Sequence, residues 1–190
     1  MSVVPWVPTP SIVIDYLLHA LGVGENDVVA DLGCGDGRVL LEFCKYGALG
    51  ICVELNRTLC NIVEIAAKTM NVRDRIKIYC TDFFTMDFRR VVPRPTIVYL
   101  FLYPSTLEQL SHKLETEFDP GTIVVTLDFA VRGWSPFFVK SLVDENDHDR
   151  LVWFYAIGIS NPSARKIECV NQDELNSIER NLCSRKFSFY

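Results

Sequence analysis

Short apolar runs alternate along this chain with segments in which apolar residues recur every three or four positions. The runs predict buried strands at Val28–Leu32, Gly50–Glu54, Ile76–Cys80, Thr96–Leu102 and Thr122–Phe129. The helical periodicity predicts helices over Pro10–Gly22, Arg38–Tyr46, Asn56–Met70 and Ser105–Phe118, with Thr9 as a cap of the first. This alternation predicts a parallel sheet with helices on both faces.

The pattern changes after the fifth predicted strand. Phe137–Val143 and Leu151–Ile159 are apolar runs with no helix between them, and a charged stretch from Asp144 to Arg150 joins them as a hairpin loop. We therefore predict an α/β, Rossmann-like sheet of seven strands, five parallel strands plus a C-terminal antiparallel hairpin. Residues 1–160 form the predicted domain, and residues 161–190 an extension in which Asp173–Leu182 can form a short helix.

A glycine-rich turn follows the first predicted strand. Gly33, Gly35 and Gly37 stand within the stretch Asp31-Leu32-Gly33-Cys34-Gly35-Asp36-Gly37, and Glu54 ends the next strand 21 residues after Gly33. Such a turn lets the backbone approach a ligand, and a carboxylate one strand later can accept hydrogen bonds from two ribose hydroxyls. The pattern predicts a ligand that carries an adenosine.

The spacing of the glycines bears on which adenosine ligand this is. A dinucleotide fingerprint has glycines at positions one, three and six, and position six counted from Gly33 is Arg38. Asp31 beside the turn would repel a pyrophosphate and attract an ammonium group. S-adenosylmethionine, which carries an ammonium, therefore fits better than a nicotinamide or flavin dinucleotide, and an ordinary tight turn with solvated acids is the further alternative.

Composition and charge narrow the classes of partner. The chain has 190 residues, 49% of them hydrophobic and 12% aromatic, with a net charge of −5, which is typical of a globular domain. The negative charge argues against a non-specific hold on nucleic acid and permits a basic protein substrate. No apolar run is long enough to span a bilayer and no cleavable signal pattern is visible, so we expect no membrane association and a cytoplasmic location.

Cysteine and histidine usage gives no sign of a metal site. The seven cysteines include no C-x-x-C pair and lie mostly within apolar runs, which predicts reduced, buried thiols. The three histidines are scattered, so no metal is expected.

Several short stretches resemble one enzyme family when taken in order. They are Val7-Pro8-Thr9-Pro10, Asp31-Leu32-Gly33-Cys34-Gly35-Asp36-Gly37-Arg38, Val53-Glu54-Leu55-Asn56, Phe101-Leu102, Pro120-Gly121 and Arg132-Gly133-Trp134-Ser135-Pro136. With them the chain resembles the seven-stranded S-adenosylmethionine-dependent methyltransferases, and more narrowly the small archaeal and mitochondrial-type protein-lysine methyltransferases. The resemblance covers residues 7 to about 158.

The resemblance implies roles at the carboxyl ends of the strands. Asp31 lies near the methionine moiety, Glu54 holds the ribose hydroxyls, Asp82 accepts from the adenine amino group, and Phe83 or Leu55 lies against the ring. Asp82 can alternatively cap the turn that follows it, and Leu55 can be a core residue. The implied cofactor site comprises Asp31, Gly33, Gly35, Asp36, Gly37, Glu54, Leu55, Asp82 and Phe83.

Aromatic residues after the fourth and fifth strands are the candidates for an acceptor channel. We expect Phe101, Tyr103 and Trp134 to line it, because an aromatic channel desolvates a lysine and lowers the pKa of its amine. Trp6 can be part of a lid or can pack on the first helix. No residue is assigned as a general base.

Three functions are compatible with these residues. The resemblance favours methyl transfer to lysine side chains of protein substrates. The alternatives are a methyltransferase for a small molecule or an RNA base, and a non-catalytic partner protein that binds the cofactor. The stretch Phe101-Leu102-Tyr103-Pro104 differs from the Asn/Asp-Pro-Pro-Tyr/Phe sequence that favours amino groups of bases.

Overall fold

A computed structural model of the chain describes residues 6–163, so the predicted helix at Asp173–Leu182 lies outside the described residues. The strands are β1 (Val28–Leu32), β2 (Leu49–Val53), β3 (Ile76–Tyr79), β4 (Ile97–Leu100), β5 (Ile123–Leu127), β6 (Phe138–Val143) and β7 (Asp149–Ala156). The α-helices are α1 (Ser11–Leu21), α2 (Arg38–Lys45), α3 (Arg57–Thr69) and α4 (Pro104–Glu117). Each element lies where the apolar pattern predicts it, with ends that differ by a few residues.

The strands form one sheet in the order β3-β2-β1-β4-β5-β7-β6. Strands β1 to β5 are parallel, and β7 runs antiparallel to both β5 and β6. The predicted fold is therefore confirmed. Chain order reverses between β1 and β4, and ligands of open α/β sheets bind at such a reversal, beyond the carboxyl ends of the strands.

Alternate strand residues feed two hydrophobic clusters, one on each face of the sheet. Val29 and Tyr99 belong to a cluster with residues of α1, α2 and α3. Val28 and Val98 belong to a second cluster that includes residues of α4. Helices therefore cover both faces, as predicted, and the strands between them are fixed enough to hold a ligand site at their ends.

The start of the first helix differs from the prediction. Pro10 is the N-cap residue of α1, with no side-chain cap. The Thr9 hydroxyl instead lies 2.9 Å from the Tyr99 hydroxyl, in a buried hydrogen bond to β4. The prediction of Thr9 as a cap is wrong because a buried phenol competes for its hydroxyl. This bond anchors the segment before α1 to the centre of the sheet.

Two cysteines contradict the prediction of reduced thiols throughout. Cys34, in the glycine-rich turn, is joined by a disulfide to Cys52 of β2, with the two Cα atoms 5.4 Å apart. Both are buried, and the turn that carries Cys34 lies against the end of β2, where the Cys34 backbone N–H donates to the Val53 carbonyl at 3.3 Å. Among the described cysteines, Cys44, Cys60 and Cys80 carry free thiols, and Cys80 is exposed.

Trp134 lies in the core and not at a channel wall. Its side chain is 6% exposed and packs edge-on against Tyr155, with ring centroids 5.8 Å apart. The Tyr155 hydroxyl accepts a hydrogen bond from the Val131 backbone N–H, which holds the segment that carries Trp134 against the sheet. The prediction of Trp134 as a channel residue is therefore wrong, because the indole belongs to the hydrophobic cluster on the α4 face of the sheet.

Within residues 6–163, no helix is both long enough and apolar enough to cross a bilayer.

The packing of Trp134 predicts a stability effect. Trp134→Ala should lower the free energy of unfolding by about 3–5 kcal/mol, because it removes a large buried side chain and leaves a cavity. Denaturant titration followed by circular dichroism measures this. Trp6→Ala is the matched control, since Trp6 is 44% exposed. Equal stability losses in the two variants would contradict the core placement.

Candidate active site

A cavity of about 1210 Å³ lies at the carboxyl ends of the parallel strands, where chain order reverses between β1 and β4. It contains most of the predicted site residues: Asp31, Gly33, Asp36, Glu54, Leu55, Asp82, Phe83, Phe101 and Tyr103. Gly35 and Gly37 shape the turn beside the cavity, and Trp134 lies apart from it. The fold thus brings together residues that are spread over more than seventy positions of the sequence.

The glycine-rich turn is held tightly against β2 and the segment before α1. The Gly33 backbone N–H donates to the Val53 carbonyl at 2.8 Å. Gly35 has a φ of +57°, and a Cβ built there would lie 2.0 Å from Nε1 of Trp6. A residue other than glycine would therefore be strained and would displace the indole. Trp6 lines the cavity from this position, which supports the interpretation of Trp6 as a cover.

Glu54 follows β2 directly, and backbone donors fix its carboxylate. Its Oε2 accepts from the Gly35 N–H at 3.0 Å, and its Oε1 accepts from the Asn56 N–H at 2.8 Å. A carboxylate oxygen can accept more than one hydrogen bond, so each oxygen retains capacity toward a ligand in the cavity. This geometry suits two adjacent hydroxyl donors, as the prediction of ribose binding requires.

Asp31, at the penultimate position of β1, is 3% exposed. Burial raises the pKa of the Asp31 carboxyl well above its ordinary range, and the nearby Glu54 and Asp36 carboxylates raise it further. Asp36 is paired with the Arg38 guanidinium at 2.8 Å, whereas the described residues place no cation in an ion pair with Asp31. A ligand with a positive charge would relieve this unfavourable arrangement.

The residues predicted to surround the adenine also line the cavity. Asp82 Oδ1 accepts from the Phe84 backbone N–H at 2.8 Å, so Asp82 caps the turn after β3 and lines the cavity as well. The rings of Phe83 and Phe84 lie 4.7 Å apart, and Leu55 is 66% exposed at the cavity wall. An apolar side chain exposed at a pocket is available to stack on a flat ring. These roles stay predictions.

The part of the cavity at the ends of β4 and β5 is aromatic and contains a charged pair that the sequence prediction missed. Phe101 and Tyr103 line it, as predicted, and Tyr103 is 48% exposed. Asp128 and Arg150 also line it, with Asp128 Oδ2 2.8 Å from Arg150 Nη2. Asp128 directly follows β5, the kind of position that singled out the other acids, but the predicted fifth strand ran on through residue 129. Arg150 gave no signal, since it reaches the site only through the antiparallel pairing of β7.

Comparison with known proteins identifies the family. The family model described as "ANTKMT methyltransferase domain" matches residues 31–138, more than half of the chain. The chain belongs to the ANTKMT methyltransferase family. This ANTKMT-family chain is an enzyme of the S-adenosylmethionine-dependent methyltransferase class, which confirms the predicted family and cofactor.

Individual relatives of this ANTKMT-family methyltransferase agree. It is 36% identical over 159 residues to a protein-lysine N-methyltransferase of Saccharolobus islandicus, covering 82% of this chain and 94% of that protein. It is 31% identical over 163 residues to the adenine nucleotide translocase lysine N-methyltransferase of Mus musculus, covering 84% of this chain and 66% of that protein.

A solved structure supports the same assignment. An RNA methyltransferase from Salinibacter ruber in complex with S-adenosyl-L-homocysteine superposes with a TM-score of 0.72 at 34% identity. The match covers 80% of this chain and 94% of that one.

The buried Asp31 carboxylate predicts opposite changes in stability and binding. Asp31→Asn removes a buried charge without a cation, so the melting temperature at neutral pH should rise while affinity for S-adenosylmethionine falls at least about tenfold. The folded protein holds the Asp31 proton to a higher pH than the unfolded chain does. Protonated Asp31 therefore stabilises the fold at low pH, and this contribution is lost as pH rises through the raised pKa.

Thermal melts and calorimetry across a pH series measure both effects. Donor affinity of the natural protein should rise as Asp31 ionises, and this dependence should weaken in Asp31→Asn. A variant that melts lower and binds as tightly would contradict the assignment.

The Glu54 carboxylate, which two backbone N–H groups hold at the cavity, is predicted to bind the ribose hydroxyls of S-adenosylmethionine. Glu54→Ala should lower affinity for S-adenosylmethionine at least about tenfold, since charge-assisted hydrogen bonds are worth about 1.5–3 kcal/mol each. Titration calorimetry measures the change, and Glu145→Ala in the exposed β6–β7 turn is the control. Unchanged affinity in a folded Glu54→Ala protein would remove Glu54 from the site.

Proposed function

We propose that this protein transfers a methyl group from S-adenosylmethionine to the Nε atom of lysine side chains in protein substrates. The observation that carries the proposal is the 36% identity over 94% of the length of a protein-lysine N-methyltransferase. The mouse relative, named as a lysine N-methyltransferase of the adenine nucleotide translocase, supports the same acceptor. The chain spans 66% of that relative's length, so no particular substrate protein is proposed.

The carboxylates that line one part of the cavity support binding of the methyl donor. The carboxylates of Asp31 and Glu54 are suited to hold the ammonium and the ribose hydroxyls of S-adenosylmethionine, which supplies an electrophilic methyl group and a thioether leaving group. Because the leaving group comes with the donor, alignment and exclusion of water carry most of the rate enhancement. Trp6 is placed to exclude water on the side of the glycine-rich turn.

The aromatic end of the cavity suits a lysine. Phe101 and Tyr103 help to exclude water from the approach, which favours loss of a proton from the lysine before attack. Aromatic faces also attract the methylammonium product. The acceptor type is supported by the relatives, and the wall residues by their position in the cavity.

An RNA base is the second candidate acceptor, favoured by the Salinibacter ruber structure, described as an RNA methyltransferase. The net charge of −5 argues against it, because binding to RNA depends strongly on contacts to phosphate. The turn after β4 is also occupied by Tyr103-Pro104 and not by the Asn/Asp-Pro-Pro-Tyr/Phe sequence of base-modifying enzymes. For the protein substrates of the leading proposal, we propose that methyl transfer takes place in the cytoplasm.

Product analysis distinguishes the acceptors. The protein is incubated with methyl-labelled S-adenosylmethionine and a cell extract, and the extract is then divided between protease and ribonuclease digestion. We expect the label in peptides, on lysine by mass mapping, and less label with the control variant Asp31→Asn at a low concentration of S-adenosylmethionine. Label found only on nucleic acid or on a metabolite would overturn the proposal.

A further inference from the structure

Asp128 lines the cavity at the end of β5 and has an uncommon backbone conformation. It follows β5 directly and has a φ of +65°, a left-handed conformation that residues other than glycine rarely adopt. Its N–H donates to the Leu151 carbonyl at 2.7 Å, which ties it to β7. Residues held in sparsely populated backbone conformations concentrate at functional sites. The conformation places the Asp128 side chain at the cavity and off the regular course of the strand.

The Asp128 carboxylate is only half satisfied. Oδ2 forms an ion pair with Arg150 Nη2 at 2.8 Å, whereas Oδ1 is buried and, like Nε and Nη2 of Arg150, has no hydrogen-bond partner among residues 6–163. Buried carboxylate oxygens without donors are rare in folded proteins, since they give up hydration without replacement. Because Asp128 lines the cavity, this oxygen is available to a donor that enters from outside the chain.

The charges around Asp128 indicate the sign of that donor. Arg150 is held over the Phe101 ring at 5.3 Å and also lies 3.6 Å from Asp144 Oδ2. One guanidinium thus serves two carboxylates, which leaves this cluster with a net charge of −1 when His148, 3.6 Å from Asp144, is neutral. An incoming ammonium group would supply the missing positive charge.

The position of Asp128 suits the acceptor and not the donor. β4 lies between β1 and β5 in the sheet, so Asp31 and Asp128 stand at the ends of strands roughly 10 Å apart. Both lie near the Tyr99 hydroxyl, whose pKa each carboxylate raises in addition to the larger effect of burial. An ammonium held by Asp31 and an amine held by Asp128 would therefore lie at the ends of two strands separated by β4, within one cavity.

We propose that Asp128 is the residue that binds the acceptor amine, with its Oδ1 accepting a hydrogen bond from the incoming Nε while Arg150 holds Oδ2. This inference rests on the proposed lysine acceptor. The bound ammonium passes one proton to Oδ1, and the freed lone pair forms the nitrogen–carbon bond as the carbon–sulfur bond breaks and its electron pair stays on sulfur. The products are a methylated ammonium, S-adenosylhomocysteine and a protonated Asp128, which returns its proton to water.

The test compares three variants with the natural protein. Asp128→Asn removes the charge with a residue that tolerates a left-handed backbone, and Asp128→Gly removes the side chain without backbone strain. Asp147→Asn is the matched control, because Asp147 also has a positive φ, of +59°, but is exposed in the β6–β7 turn. Transfer of label to lysine is measured against a concentration series of the same protein extract, alongside calorimetry with S-adenosylmethionine and thermal melts.

Both Asp128 variants should lose at least about tenfold in the rate of transfer per unit of acceptor at low acceptor concentration. Their affinity for S-adenosylmethionine should stay within about twofold of the natural protein, which a general loss of folding would not allow. Asp147→Asn should behave like the natural protein. Full transfer activity in folded Asp128→Asn or Asp128→Gly would overturn the inference, as would a loss confined to donor affinity. Absence of lysine labelling by the natural protein would instead refute the proposed function.

Discussion

Repulsion between carboxylates gathered at the ends of neighbouring strands is the constraint on which this site depends. Asp31, Asp36 and Glu54 meet because β1 and β2 are parallel and register with each other. Arg38 neutralises Asp36, and backbone N–H groups satisfy Glu54. Asp31 is left buried among negative charge, at a cost in stability that protonation or a bound cation can offset. The fold is therefore arranged to be completed by a positively charged ligand.

At the end of β5, a second strand-end carboxylate, that of Asp128, is paired with a cation from this chain. Parallel strands deliver acids to one edge, but Asp128 finds its cation outside the β1–β5 series. The antiparallel hairpin supplies it, since β7 pairs with β5 and its early residues return to the carboxyl end. Arg150 enters the cavity by this route. The hairpin thus contributes to the chemistry of the site as well as closing the sheet.

The sequence predicts most of this arrangement, and its failures have physical causes. Apolar periodicity located the strands, and a strand-end acid is recognisable wherever the strand end is, as at Asp31 and Glu54. Asp128 was missed because a left-handed residue ends β5 earlier than the apolar run suggests. Trp134 beside a glycine has the same pattern whether its ring faces a cavity or the core. The Cys34–Cys52 disulfide depends on how the glycine-rich turn lies against β2, which residue spacing does not encode.

The contact between Trp6 and Gly35 has a consequence for how this sequence can change. The missing side chain at position 35 is the space in which the indole rests, since a Cβ there would lie 2.0 Å from it. A smaller residue at position 6 would therefore remove the clash with an alanine at position 35, but the φ of +57° would still strain that alanine. A change in the segment before α1 is in this way felt directly by the glycine-rich turn that borders the cavity.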